Sequence, residues 1–170
     1  NRKYTTLFID GNHENFNRLN QLPEVDMFNG KVGMYNDSIY HLKRGYVYDI
    51  CGLSLFTFGG ALSTDKVYRR EGVSWWPEET QTKAEEDFAY DNLEKVNFKI
   101  DHVLTHAAPK SIVSQLRFID PDRYDDPVAR FLDHIRYKIE FKSWHFGHYH
   151  EDGVIEDKFY LHYNEEPMRL

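Results

Sequence analysis

The chain has 170 residues and a formal charge of −7, from 21 basic against 28 acidic side chains. One domain accommodates that length, and the acidic balance argues against a general nucleic-acid coat, which needs a basic surface. Apolar residues at 41% and aromatics at 16% exclude a disordered chain, and no apolar run approaches the ~20 residues of a membrane span. A secretory leader pattern is also missing. Cys51 is the single cysteine, so no internal disulfide can form. A cytoplasmic protein without membrane contact is the expectation. The chain opens on Asn1 and runs straight into apolar residues, which reads as a domain incomplete at its N-terminus.

In chain order, Tyr4–Ile9 is β-branched and aromatic and reads as a strand ending at Asp10-Gly11. Asn15–Leu22 is expected as a short helix stopped by Pro23, and Gly30–Asn36 as a loop. Tyr40–Leu42, Tyr46–Ile50 and Leu53–Phe58 read as strands, the last two joined by a Cys51-Gly52 hairpin turn. Ala61–Glu79 is a long irregular stretch, the kind that is usually functional. Thr80–Val96 is helical in period, with Ala89, Leu93, Val96 and Phe88 in step, capped by Thr80 or by Thr82 with Glu85 three residues on. His102–Thr105 is an apolar strand ended by Ala107-Ala108-Pro109. Asp126-Pro127 starts a helix over Val128–Tyr137, and Ser143–Phe146 and Lys158–Tyr163 complete the strands. Helices and strands interleave, so the fold class is α/β or α+β, in one domain over residues 1–170.

Three short clusters each follow a predicted strand: Gly11-Asn12-His13-Glu14, Thr105-His106-Ala107-Ala108-Pro109 and Gly147-His148-Tyr149-His150. Strand ends are where α/β sheets hold ligands, so all three are expected to converge on one metal site. His148 and His150 would share a face if the segment were extended, and Gly147 would let the backbone turn. Asn12 offers a carbonyl oxygen and His106 a further imidazole. Such donors suit Mn²⁺, Fe²⁺, Zn²⁺ or Ni²⁺.

With these motifs the sequence resembles the calcineurin-like metallophosphoesterases. GNHE at 11–14 resembles that family's GNH[DE] motif, His106 its isolated histidine, and GHYH at 147–150 its GHxH motif, in the same order. The resemblance implies a β-sandwich flanked by helices that hydrolyses phosphomonoesters or phosphodiesters with two divalent ions. Asn12, His106 and His148 would bind one ion and His150 the other. His13 would sit by the phosphate and protonate the leaving group or stabilise the transition state. The family's upstream DxH and GDxxD motifs, which carry the bridging aspartate, are not in this chain. Asp10 is no substitute, since no family ligand stands beside that glycine. Two divalent ions ~3.5–4 Å apart repel by of order 20 kcal/mol at an effective dielectric of ~20, which one amide and three neutral imidazoles do not offset. At most one ion is expected here, and the N-terminal strands are expected to be missing.

The partners expected are a phosphate-ester substrate and, over uncovered apolar surface, a second copy or the missing N-terminal segment. Two other readings stay open. A nucleic-acid or nucleotide phosphodiesterase of the same fold is opposed by the charge, and a non-catalytic scaffold with a degenerate metal site by the intact set of five side chains. Other prominent residues have plainer readings. Glu14 is either a second support of the site or an acid at a helix start. Trp75 and Trp76 are expected in packing and Arg69-Arg70 at the surface. Asp120, Asp122, Asp125 and Asp126 lack the spacing of a calcium loop, and His145 is expected as a structural residue. No role is assigned to His41, His102, His134 or His162.

Overall fold

The computed structural model describes residues 4–116, 119–120 and 125–164. The elements are β1 (Thr6–Phe8), α1 (Phe16–Leu19), β2 (Glu24–Met27), β3 (Gly30–Asn36), β4 (Ile39–Leu42), β5 (Val47–Ile50) and β6 (Leu53–Phe58). After them come α2 (Lys83–Lys95), β7 (Lys99–Thr105), α3 (Lys110–Val113), α4 (Pro127–Arg136), β8 (Glu140–Phe146), β9 (Gly153–Ile155) and β10 (Phe159–Leu161). The class is mixed α and β, with two mixed sheets. A four-stranded sheet runs β1-β4-β3-β2 and a six-stranded sheet runs β5-β6-β7-β8-β10-β9. No helix among the described residues is long and apolar enough to cross a membrane.

Two cores set the layers. Phe56, Phe58, Val103, Trp144 and Phe146 of the large sheet pack with Ala89 and Leu93 of α2, Ile112 of α3, and Phe131, Leu132 and Ile135 of α4. Val32, Tyr40 and Leu42 of the small sheet pack with Tyr48 of β5, and Leu7 and Leu55 join them. The large sheet therefore carries helices on one side and shares its β5–β6 end with the small sheet.

The helix signals act largely as read. Thr82, not Thr80, caps α2 in a reciprocal box: Thr82 N donates to Glu85 Oε2 at 2.7 Å and Glu85 N to Thr82 Oγ1 at 3.3 Å. Phe88 lies at the edge of the buried stripe, edge-on to Tyr46 at 4.8 Å. Asp126 caps α4 through Val128 N at 2.8 Å, with Pro127 at its first turn. Asp125 pairs with Arg130; Asp122 lies outside the described residues.

Gly30–Asn36 corrects the expectation of a loop: it is β3, the longest strand of its sheet. Its glycine is there for space, because a Cβ on Gly30 would fall 2.7 Å from the Tyr48 ring and 2.8 Å from Tyr46. The hairpin partner β2 is reached through Phe28-Asn29, both at positive φ, a turn written without the usual Asn-Gly. Asn15–Leu22 yields only one helical turn, α1. β7 and β8 begin three residues earlier than their apolar runs, at Lys99 and Glu140, where cross-strand pairs Lys99–Glu140 and Lys142–Asp101 occupy the polar ends.

One buried ion cluster ties these parts together. Asp10, 1% exposed, accepts from Arg44 Nε at 2.9 Å and Nη2 at 2.6 Å, and its other oxygen lies 3.1 Å from His41 Nε2. Burial alone pushes the Asp10 carboxyl up; Arg44 and His41 outweigh it and hold it down at about 2. That contribution to stability is present above the ordinary value near 3.8 and is lost as pH falls through about 2. Asp10→Asn leaves Arg44 buried without its counter-charge, so urea unfolding at pH 7 should show a loss of ~3–5 kcal/mol. The gap from wild type should close as pH falls from 3.8 toward about 2, where the native carboxyl also protonates.

Candidate metal centre

β6, β7 and β8 run parallel, so their carboxyl ends share one edge of the large sheet. His106 follows β7 and donates its backbone N–H to Phe58 O at 3.3 Å; Gly147 follows β8 and donates to His106 O at 3.2 Å. β1 delivers Gly11–Glu14 from the other sheet. Asn12, His13, His106, His148 and His150 line one cavity of about 490 Å³, with Gly11, Glu14, Leu62, Ser63, Thr64, Asp65 and Tyr163. Every residue singled out as a candidate ligand or acid is therefore brought to the same place.

Asn12 Oδ1 lies 3.0 Å from His106 Nε2, and the His106 and His148 rings meet edge to face at 4.9 Å. Asn12 Nδ2 donates to Ser63 Oγ at 3.0 Å and lies 3.4 Å from His13 Nε2. Gly11 admits this closeness, since a Cβ there would stand 3.1 Å from His106 Cε1. Glu14 Oε1 accepts from Gly11 N at 3.2 Å and so closes the loop rather than opening a helix, which begins at Phe16. His13 and His150 are exposed at the mouth, and His150 stacks on Tyr163 at 5.0 Å.

The GHYH segment differs from an extended strand. His148 and His150 both have positive φ, 71° and 56°, whereas Gly147 does not. A Cβ at Gly147 would meet only His162 O, at 3.6 Å. The two histidines reach one cavity because the chain coils there, not by alternation. Tyr149 between them turns inward; its hydroxyl accepts from Ala108 N at 3.1 Å and its N–H donates to Gly147 O at 2.9 Å.

Burial pushes the His106 imidazole down to about 4 and the His148 imidazole down to about 3, the latter aided by His106 nearby. Both are neutral at pH 7 and keep a lone pair for a cation. The donors suit one borderline divalent ion: two ligands ~2.1 Å from one cation stand about 3 Å apart at a right angle, close to the Asn12–His106 spacing. They do not suit two. Among the described residues the cavity-lining carboxylates are Glu14 and Asp65, held by Gly11 N and by Arg69 Nε at 2.7 Å. Among the described residues no three His, Cys, Asp or Glu side chains are already gathered as a metal cluster.

The remaining residues resolve simply. Trp76 is buried and neither tryptophan lines the cavity. Arg69 is spent on Asp65 and Ser74 O. His145 lies in a chain on the sheet, His102–Ser143–His145–His162, with 2.7, 2.7 and 2.9 Å links. Sequence reasoning missed Ser63 and the Asp10–Arg44–His41 cluster; for Ser63 nothing local in the sequence marks it. No known protein-family model matches the chain, and no curated protein matches its sequence.

Burial holds His106, His145 and His148 well below 6.5, toward about 4, 4 and 3. Below 6.5 the unfolded chain takes up protons that the folded one refuses, so stability falls with falling pH. Denaturation in EDTA between pH 6.5 and 4.5 should show this slope, and His145→Gln, remote from the cavity, should reduce it by up to one proton.

Proposed function

We propose that this protein is a metal-dependent phosphoesterase of the calcineurin-like class, acting on a phosphate ester. The observation that carries the reading is the meeting of three sequence-distant clusters in one cavity, with Asn12 Oδ1 and His106 Nε2 3.0 Å apart and His148 against His106. Two mixed sheets and a helical layer support the two-sheet fold that the reading requires.

Asn12, His106 and His148 would hold one divalent ion. When bound, that ion supplies positive charge that draws phosphate oxygens and offsets charge developing in the transition state. The chain's own residues do the rest. Asn12 contributes an uncharged oxygen, and the two imidazoles are neutral through burial, so the donor set adds no negative charge to repel the substrate. His13 is at the open mouth within reach of Asn12 Nδ2. In that position its ring delivers a proton to the departing alkoxide or aryloxide oxygen. His150, stacked on Tyr163, flanks the same opening and forms part of the phosphate's wall.

His106→Ala and His148→Ala should each cut Mn²⁺-dependent hydrolysis of p-nitrophenyl phosphate by the full-length protein at least ~100-fold. Unchanged turnover in either removes the assignment. His13→Ala should lower kcat by ~10²–10⁴ while Mn²⁺ content holds. Equal loss of both would make His13 a ligand instead. Bis(p-nitrophenyl) phosphate assayed alongside separates diesterase from monoesterase action.

A further inference from the structure

Glu79 is 1% exposed and has no ion pair among the described residues. It ends a tight 3-10 turn over Pro77–Glu79. Its Oε2 accepts from Ser63 N at 3.2 Å, whereas its Oε1 is buried with no hydrogen-bond partner among the described residues. A half-satisfied buried carboxylate costs stability, so packing alone does not account for it. Ser63, 2% exposed, is also the acceptor for Asn12 Nδ2 at 3.0 Å. The loop carrying Ser63 approaches the turn as closely as backbone allows. A Cβ on Gly60, at φ +83°, would lie 2.3 Å from Glu79 O and 2.6 Å from Arg44 Nη2.

We infer that Glu79 is a positioning residue that acts through Ser63 to fix the Asn12 carboxamide, oxygen toward His106 and the cavity and nitrogen away from it. The reason lies in hydrogen-bond polarity. The Glu79 carboxylate accepts from the Ser63 backbone N–H at 3.2 Å and so fixes where the Ser63 hydroxyl stands, with a lone pair toward Asn12 Nδ2 at 3.0 Å. That lone pair binds the Asn12 NH₂ and rejects its C=O. Without this constraint the amide is free to turn by 180° and present N–H groups to the cavity, which repel a cation. Burial raises the Glu79 carboxyl above its usual value, and Ser63 with His13 nearby offsets only part of that push. Arg44 Nη2 donates to Glu78 O at 2.8 Å while gripping Asp10, two residues before Asn12. Both ends of the Glu79–Ser63–Asn12 line are thus anchored on the same guanidinium.

The step from amide orientation to function rests on the reading of Asn12 as a cation donor, and the test separates the two. Side-chain amide hydrogen exchange of Asn12 is followed by NMR at pH 8 in metal-free full-length protein, and Mn²⁺ affinity by calorimetry. Ser63→Ala and Glu79→Gln should each speed Asn12 amide exchange at least ~10-fold and weaken Mn²⁺ binding ~10–100-fold. The double variant should be no worse than Ser63→Ala alone, because both act along one line. Glu79→Gln should keep its Tm within a few degrees of wild type. Unchanged Asn12 exchange in both variants overturns the inference, as does additive loss in the double variant. If exchange rises but the wild type itself binds no Mn²⁺, the positioning stands and the metal reading falls.

Discussion

A buried carboxylate needs a positive partner, and Asp10 finds one that reaches further than the pair itself. Arg44 and His41 come from the end of β4, Asp10 from the segment after β1, and the Arg44 guanidinium continues to Glu78 O at 2.8 Å and to Glu85 of α2 at 3.6 Å. Four parts of the chain are therefore locked where one charge must be neutralised. Such pairs are weak as sources of stability because desolvation offsets attraction. Their geometry, however, admits little slack. Asp10 immediately precedes Gly11-Asn12, so whatever places this carboxylate also places the first ligand of the cavity.

Around that anchor the site is kept neutral and tight. The two inner imidazoles lose their affinity for protons through burial, and the outer two stay at the mouth. His148 and His150 pay for their inward reach with left-handed backbone, about 1 kcal/mol each for a side chain with a Cβ. Tyr149 holds that coil by its hydroxyl and its N–H. Gly11 leaves room for the His106 ring. Strain and steric space are spent in the same few residues that the chemistry uses.

Much of this was legible in the sequence. Leu53–Phe58 and the Cys51-Gly52 turn follow from a run of apolar and aromatic residues and a glycine, found at positive φ. The Thr82–Glu85 box and the Asp126-Pro127 start act within one turn of helix, where local hydrogen bonds decide. The clusters of Asn12, His106 and His148 were marked by their places after strands. Other features were not legible. Gly30 and Gly33 made β3 look like a loop, and the rings that need Gly30 to lack a Cβ, Tyr48 of β5 and Tyr46 just before it, belong to another part of the chain. Glu79 and Ser63, 16 residues apart, carry no periodic signal.

Residue types and their spacing determined which donors were on offer, where chains turn, and that strands and helices interleave, since those depend on a residue and its near neighbours. Tertiary structure decided that β6, β7 and β8 lie parallel side by side, that histidines two residues apart meet through a coil rather than an extended strand, and that Asp10 joins Arg44 and His41. The physical reason is range. Capping and turn formation act over a few bonds, whereas neutralising a buried charge or gathering ligands requires groups that only packing brings within about 3 Å.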